Sequence, residues 1–255
     1  MYSKKHPSRT KKLLLCTLFL LCMGCEKATI QPVNLDFALK THYQQIQSKK
    51  TGAARVQLRQ FMALNGESSQ PLFLMGLSYH KEKKYTKAVE WFEKSADFSN
   101  SLDRYPATWH FLGWSYYYLG DAENAKNAFS QFLQYHPKEG DSLFGLGLIA
   151  MADGDLNGAS LLFRESIPAQ IGQPKGQAKA MARLGDVLVL QKDLLSAKKL
   201  YLRAVQLDPN LYEAWFRLAN TFKHDDQSLF HQYIENSREA KGRVLQSRHQ
   251  TRFPE

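Results

Sequence analysis

The chain has 255 residues, 44% of them hydrophobic and 23% charged, which suits one or two globular domains with a sizeable core. That balance excludes a low-complexity or disordered polyelectrolyte. The formal charge of +10 does not mark a nucleic-acid binder, because the excess is gathered at the two ends. Lys4, Lys5, Arg9, Lys11 and Lys12 stand among the first 24 residues without an acid, and Arg238, Lys241, Arg243, Arg248 and Arg252 lie near the C-terminus. The C-terminal group reads as a solvated basic tail or as a contact for anionic lipid or an acidic partner.

Residues 1–24 read as a targeting segment. A charged stretch, "MYSKKHPSRTKK", precedes the apolar run "LLLCTLFLLCMGC", Leu13 to Cys25. That run is too short for a membrane-spanning helix, which needs roughly 20 residues, and fits a signal-peptide core. It ends Cys22-Met23-Gly24-Cys25, which resembles the lipobox of bacterial lipoproteins, with Cys22 where that pattern usually has Leu. The resemblance implies cleavage before Cys25 and acylation of its thiol, giving a membrane anchor. Cysteine usage agrees: Cys16, Cys22 and Cys25 are the three cysteines of the chain, so a mature form starting at Cys25 has no disulfide. Glu26 follows Cys25 where, in the enterobacterial sorting rule of such lipoproteins, Asp retains the protein at the inner membrane, so the resemblance implies the periplasmic face of the outer membrane over the inner membrane. Residues 25–34 read as a linker.

From residue 35 the sequence repeats itself. A small residue recurs at Gly76, Gly113, Gly147, Gly185 and Ala219, with spacings of 37, 34, 38 and 34. Twelve positions after each of the first four stands Ala88, Ala125, Ala159 or Ala197, and four further on Phe92, Phe129, Phe163 or Tyr201. Pro137 and Pro209 close two units. Trp109-Leu112-Gly113-Tyr116-Ala125-Phe129-Pro137 resembles the tetratricopeptide repeat, with Phe132 where a small residue is usual. Units near 69–102, 106–139, 140–173, 178–211 and 212–244 follow the pattern, and 35–68 reads as a degenerate first unit. Residues 245–255 are left as the basic tail.

Each such repeat is a pair of antiparallel helices whose small residues allow close approach. A single hairpin cannot bury its apolar stripe, so the hairpins stack into one core. The resemblance therefore implies an all-α, right-handed solenoid of five to six helix-turn-helix repeats. "LGDAEN" and "ADGDLN" supply the Gly and Asp wanted at the turns between helices. The longer spacings place insertions at "DFSNSLDRYP" and "SIPAQIGQPKGQ", the second expected as an exposed loop, either neutral or in contact with a partner.

In this fold, positions 2, 5, 9, 12 and 13 of each first helix line a concave side that binds extended or helical peptides. The residues expected there are Phe73, Leu77, His110, Trp114, Tyr117, Tyr118, Phe144, Leu148 and Met151, continuing through Asp186 and Phe216. So many aromatics on one exposed face favour a protein or peptide partner, although the C-terminal helix is an alternative occupant. The Lys and Asn of a carboxylate clamp are missing from these places. No H-E-x-x-H, phosphate loop, G-x-S-x-G or C-x-x-C occurs. The cluster "HDDQSLFH" spans a turn between helices, where Asp is an ordinary cap. No catalytic residue, metal, cofactor, small-molecule substrate or nucleic acid is expected. The sequence points to a membrane-tethered adaptor that assists assembly of an envelope complex, with pilus or secretion machinery among the candidates. Its layout resembles that of tetratricopeptide lipoproteins of secretin assembly. The alternative is a non-catalytic subunit of an envelope enzyme such as a peptidoglycan synthase or hydrolase.

Overall fold

Small residues recurring against aromatic ones set the architecture. A computed structural model describes residues 36–98 and 105–252. Among these the chain is twelve helices with no strand: α1 (Phe37–Gln47), α2 (Thr51–Asn65), α3 (Ser69–Lys81), α4 (Tyr85–Asp97), α5 (Ala107–Leu119), α6 (Ala122–Tyr135), α7 (Gly140–Ala152), α8 (Leu156–Ala169), α9 (Pro174–Leu190), α10 (Leu194–Leu207), α11 (Tyr212–Asn220) and α12 (Gln227–Arg252). They pair in order as six hairpins. The proposed signal segment and Cys25 lie outside the described residues. No described helix is long and apolar enough to cross a membrane.

The recurring glycines and aromatics meet. A Cβ on Gly76, Gly113, Gly147 or Gly185 would fall 2.5–2.7 Å from the ring of Phe92, Phe129, Phe163 or Tyr201, respectively. Glycine is needed because the second helix lays a flat ring on the backbone of the first. The alanines between, Ala88, Ala125, Ala159 and Ala197, are fully buried.

The turns repeat as faithfully as the core. A left-handed residue ends each of the first five turns between paired helices: Lys49, Lys83, Gly120, Gly154 and Lys192. Glycine fills two of these places and lysine three, so side-chain identity conceals a conserved backbone shape. Where Asp follows, it caps the next helix: Asp121, Asp155 and Asp193 accept from the amides of Asn124, Gly158 and Ser196.

Every helix packs on its chain neighbour, and the odd-numbered helices α1, α3, α5, α7 and α9 also touch one another in series. A curved array brings its inner row together, so the odd helices form the concave wall. Hydroxyls tie hairpin ends: Ser95, Ser166 and Ser237 donate to the carbonyls of Ser69, Gly140 and Tyr212.

Two expectations are corrected. "SIPAQIGQPKGQ" is mostly helix, since α8 runs to Ala169 and α9 begins at Pro174. Proline suits the first helical position, where its missing N–H has no partner to lose. Gln170 of this stretch is buried, donating to the Gly140 carbonyl and to Ser166 Oγ. The basic tail, too, is largely helical, because α12 continues to Arg252.

Candidate functional site

The odd helices enclose a concave pocket of about 470 Å³. Its α5–α7 wall carries Phe111, Trp114, Tyr117, Tyr118, Phe144 and Leu148, and its α9–α11 wall carries Lys179, Arg183, Glu213 and Arg217. Among the described residues none of α12 lines it, so that part of the C-terminal helix does not fill it.

Tyr118 is the outermost of the aromatics, 52% exposed. Its ring stacks on Tyr85 at 4.7 Å and on Trp114 at 5.8 Å, forming a three-ring staircase. Trp114 is almost covered; it stands edge-on to Phe129 at 5.2 Å and donates from Nε1 to Asp141 Oδ2 at 2.9 Å. Crowding by the groove wall pushes the Asp141 carboxyl up to about 6, with the nearby Glu139 carboxylate adding to the effect. Across the groove, Arg217 and Arg183 share Asp186 at 2.6 and 3.1 Å, while the Tyr201 hydroxyl donates to the same carboxylate. The groove thus grades from aromatic to charged along the array.

Of the nine expected groove residues, His110, Trp114, Tyr117, Tyr118, Phe144 and Leu148 line this pocket. Phe73 and Leu77 do not; both are buried in the core of the first hairpins. Tyr105, in the insertion before α5, lies against Phe73 at 4.7 Å, and Phe111 packs on the same ring at 5.7 Å. Met151 is partly buried against the core around α8 and α9. His110 touches the pocket but is only 3% exposed. Phe132, occupying the place of a small residue, packs on its ring at 5.3 Å, and Ser142 Oγ lies 2.8 Å from its Nδ1.

His110, Ser142 and Asp141 thus form a hydroxyl–imidazole–carboxylate grouping, with Nε2 3.5 Å from Asp141. Ser142 is fully buried, so no substrate carbonyl can reach it; the grouping fastens α5 to α7. The Asp225–Asp226 pair is likewise employed structurally, Asp226 accepting from the Leu229 amide and Asp225 pairing with Lys198.

The charged residues Asp141, Lys179 and Glu213 were missed as individual side chains. All three stand at position 2 of their units, so the register that placed the aromatics also held their signal.

Burial holds the His110 imidazole down at about 3, and burial, with the Lys81 charge adding to it, holds His80 at about 4. Both stay neutral in the fold where an unfolded chain, at an ordinary 6.5, takes up protons. Stability is therefore full above that value and falls as pH drops towards about 4, each histidine contributing a slope of about 1.4 kcal/mol per pH unit. Asp141 works oppositely below about 6 and offsets part of the loss. Urea midpoints between pH 7.5 and 4.5 should fall with acid, and His110→Gln should flatten the fall.

Comparison with known proteins agrees with this geometry. Tetratricopeptide repeat profiles match residues 69–101, 112–174, 178–211 and 200–229, together more than half of the chain. The chain belongs to the tetratricopeptide repeat family. Curated proteins show no sequence match. Among solved structures it is similar to PilF of Pseudomonas aeruginosa, with 18% identity and TM-score 0.65 over 84% of this chain and 96% of that one. It also resembles the C-terminal part of a repeat protein from Cytophaga hutchinsonii, with 17% identity and TM-score 0.62, covering 81% and 80% of the two chains. A third is YrrB, described as having an unusual peptide-binding site, with 14% identity and TM-score 0.56, covering 77% and 98%. At these identities the likeness establishes the fold. Tetratricopeptide folds are generally scaffolds for protein–protein interaction.

Proposed function

We propose that this chain is a membrane-tethered adaptor that holds an extended or helical segment of a partner protein in the α5–α11 groove and so assists assembly of an envelope complex. The observation that carries the reading is the staircase Tyr85–Tyr118–Trp114, which leaves a large aromatic half-exposed at the mouth of a concave pocket. Rigid aromatics at such places are favoured anchors, offering much apolar area for little conformational entropy. The charged α9–α11 wall gives the bound segment direction. No role in this reading requires a reacting group, and the serine and histidine nearest the groove hold helices together.

Tethering and an envelope location rest on the sequence pattern around Cys25. Cys25→Ala should abolish incorporation of labelled palmitate and release the protein from the membrane fraction; unchanged labelling would contradict the anchor. Crosslinking pull-down of the membrane-extracted protein tests the adaptor role. A defined partner should be recovered with the native chain and lost with groove variants, whereas a partner retained by those variants would place the interaction elsewhere.

A further inference from the structure

The last hairpin bears a second concavity, about 650 Å³, between α11 and α12. Phe216 and Ile234 make its floor, and Arg217, Arg238 and Lys241 stand around it with Glu213. Phe216 is 52% exposed, whereas Phe73, His110 and Ala182, at the same place in their own units, are buried. In an array of stacked hairpins, the next odd helix lies across this position. Among the described residues no helix does so for Phe216. The surface is therefore a stacking seam of the solenoid, shaped for a helix.

We propose that this end face binds an amphipathic helix of a partner protein, its apolar stripe on Phe216 and Ile234 and its flanks acidic. The charge of α12 selects that chemistry. This helix carries Arg238, Lys241, Arg243 and Arg248 against Glu235 and Glu239, and runs for 26 residues where α10 has 14. It offers a longer basic wall than any internal hairpin. A second copy of the chain is disfavoured as the occupant, because head-to-tail stacking would present α1 and α2. Those helices bear the exposed Lys40 and Arg59, with Lys49 and Lys50 in their turn, and Asp36 is the one acid from 36 to 66. Like charges would face each other across the seam. The site borders the aromatic groove through Glu213 and Arg217, but Phe216, Ile234, Arg238 and Lys241 belong to it alone, so it stands whether or not that groove binds a partner.

Two fluorescein-labelled amphipathic peptides test it. They share leucines spaced i, i+3, i+4 and i+7, and one carries glutamate and the other lysine at the remaining positions. Anisotropy with the full chain at low salt should show the glutamate peptide binding at least tenfold more tightly, and high salt should weaken it. Phe216→Glu combined with Lys241→Glu should reduce that affinity tenfold or more, with unchanged circular dichroism because both side chains are exposed. Tyr118→Ala should leave it unaltered. Equal binding of both peptides, no binding of the glutamate peptide, or indifference to the end-face variant would overturn the proposal. So would a concentration-dependent dimer abolished by that variant, which would make the occupant a second copy.

Discussion

Gly145→Ala should destabilise the fold by about 1–3 kcal/mol, as expected for overpacking a tight core, and Phe129→Ala by about 3–5 kcal/mol, as expected for emptying it. The two substitutions test one contact from opposite sides. A Cβ on Gly145 of α7 would come within 2.7 Å of the Phe129 ring, and one on Gly113 of α5 also within 2.7 Å. The ring is therefore held between backbones of consecutive hairpins and has no free direction in which to yield. It also supports Trp114, so loosening it should lower groove affinity as well as stability. Gly242→Ala is the control. Nothing lies within 4 Å of a Cβ there, so this mid-helix change should stabilise by about 0.5–1 kcal/mol. Urea unfolding with a constant m-value checks all three; a neutral Gly145→Ala would show that the ring is less confined than the geometry requires.

Tyr118→Ala with Lys179→Glu should raise the partner's dissociation constant roughly a hundredfold, the 2–3 kcal/mol expected for losing one anchor and reversing one charge. Both residues line the pocket, on opposite walls. Tyr118 is half-exposed, so its truncation should leave helicity and the urea midpoint nearly unchanged. Trp114 is the poorer test of binding. Its side chain is largely covered and hydrogen-bonded to Asp141, so Trp114→Ala mixes loss of a contact with loss of packing. Titration calorimetry with the purified partner separates the two effects.

The repeat made much of the architecture legible in the sequence. Gly113 and Phe129 stand 16 positions apart because one faces the other across a hairpin, and that relation recurs at Gly76–Phe92, Gly147–Phe163 and Gly185–Tyr201. The turns were half legible. Gly120 and Gly154 announce a left-handed backbone, whereas Lys83 and Lys192 adopt it without any sign in residue type. For the groove, repeat register placed Trp114, Tyr117 and Tyr118 on the concave side, yet it treated every unit alike. Phe73 is hidden by Tyr105, which belongs to no repeat position, and His110 by Phe132, the one bulky residue at a place that is normally small. Register predicts which way a side chain points. Whether a neighbour covers it depends on the departures from the repeat.

The central claim is that a protein segment lies along the inner row of helices. Photocrosslinking at single sites measures this most directly, with benzoylphenylalanine placed at 118 and 179 inside the groove and at the exposed Leu161 position on the outer helix α8. Adducts of one and the same partner from 118 and 179, and none from 161, are predicted. Adducts from 161 alone, or equal yields at all three positions, would contradict the groove as the binding surface.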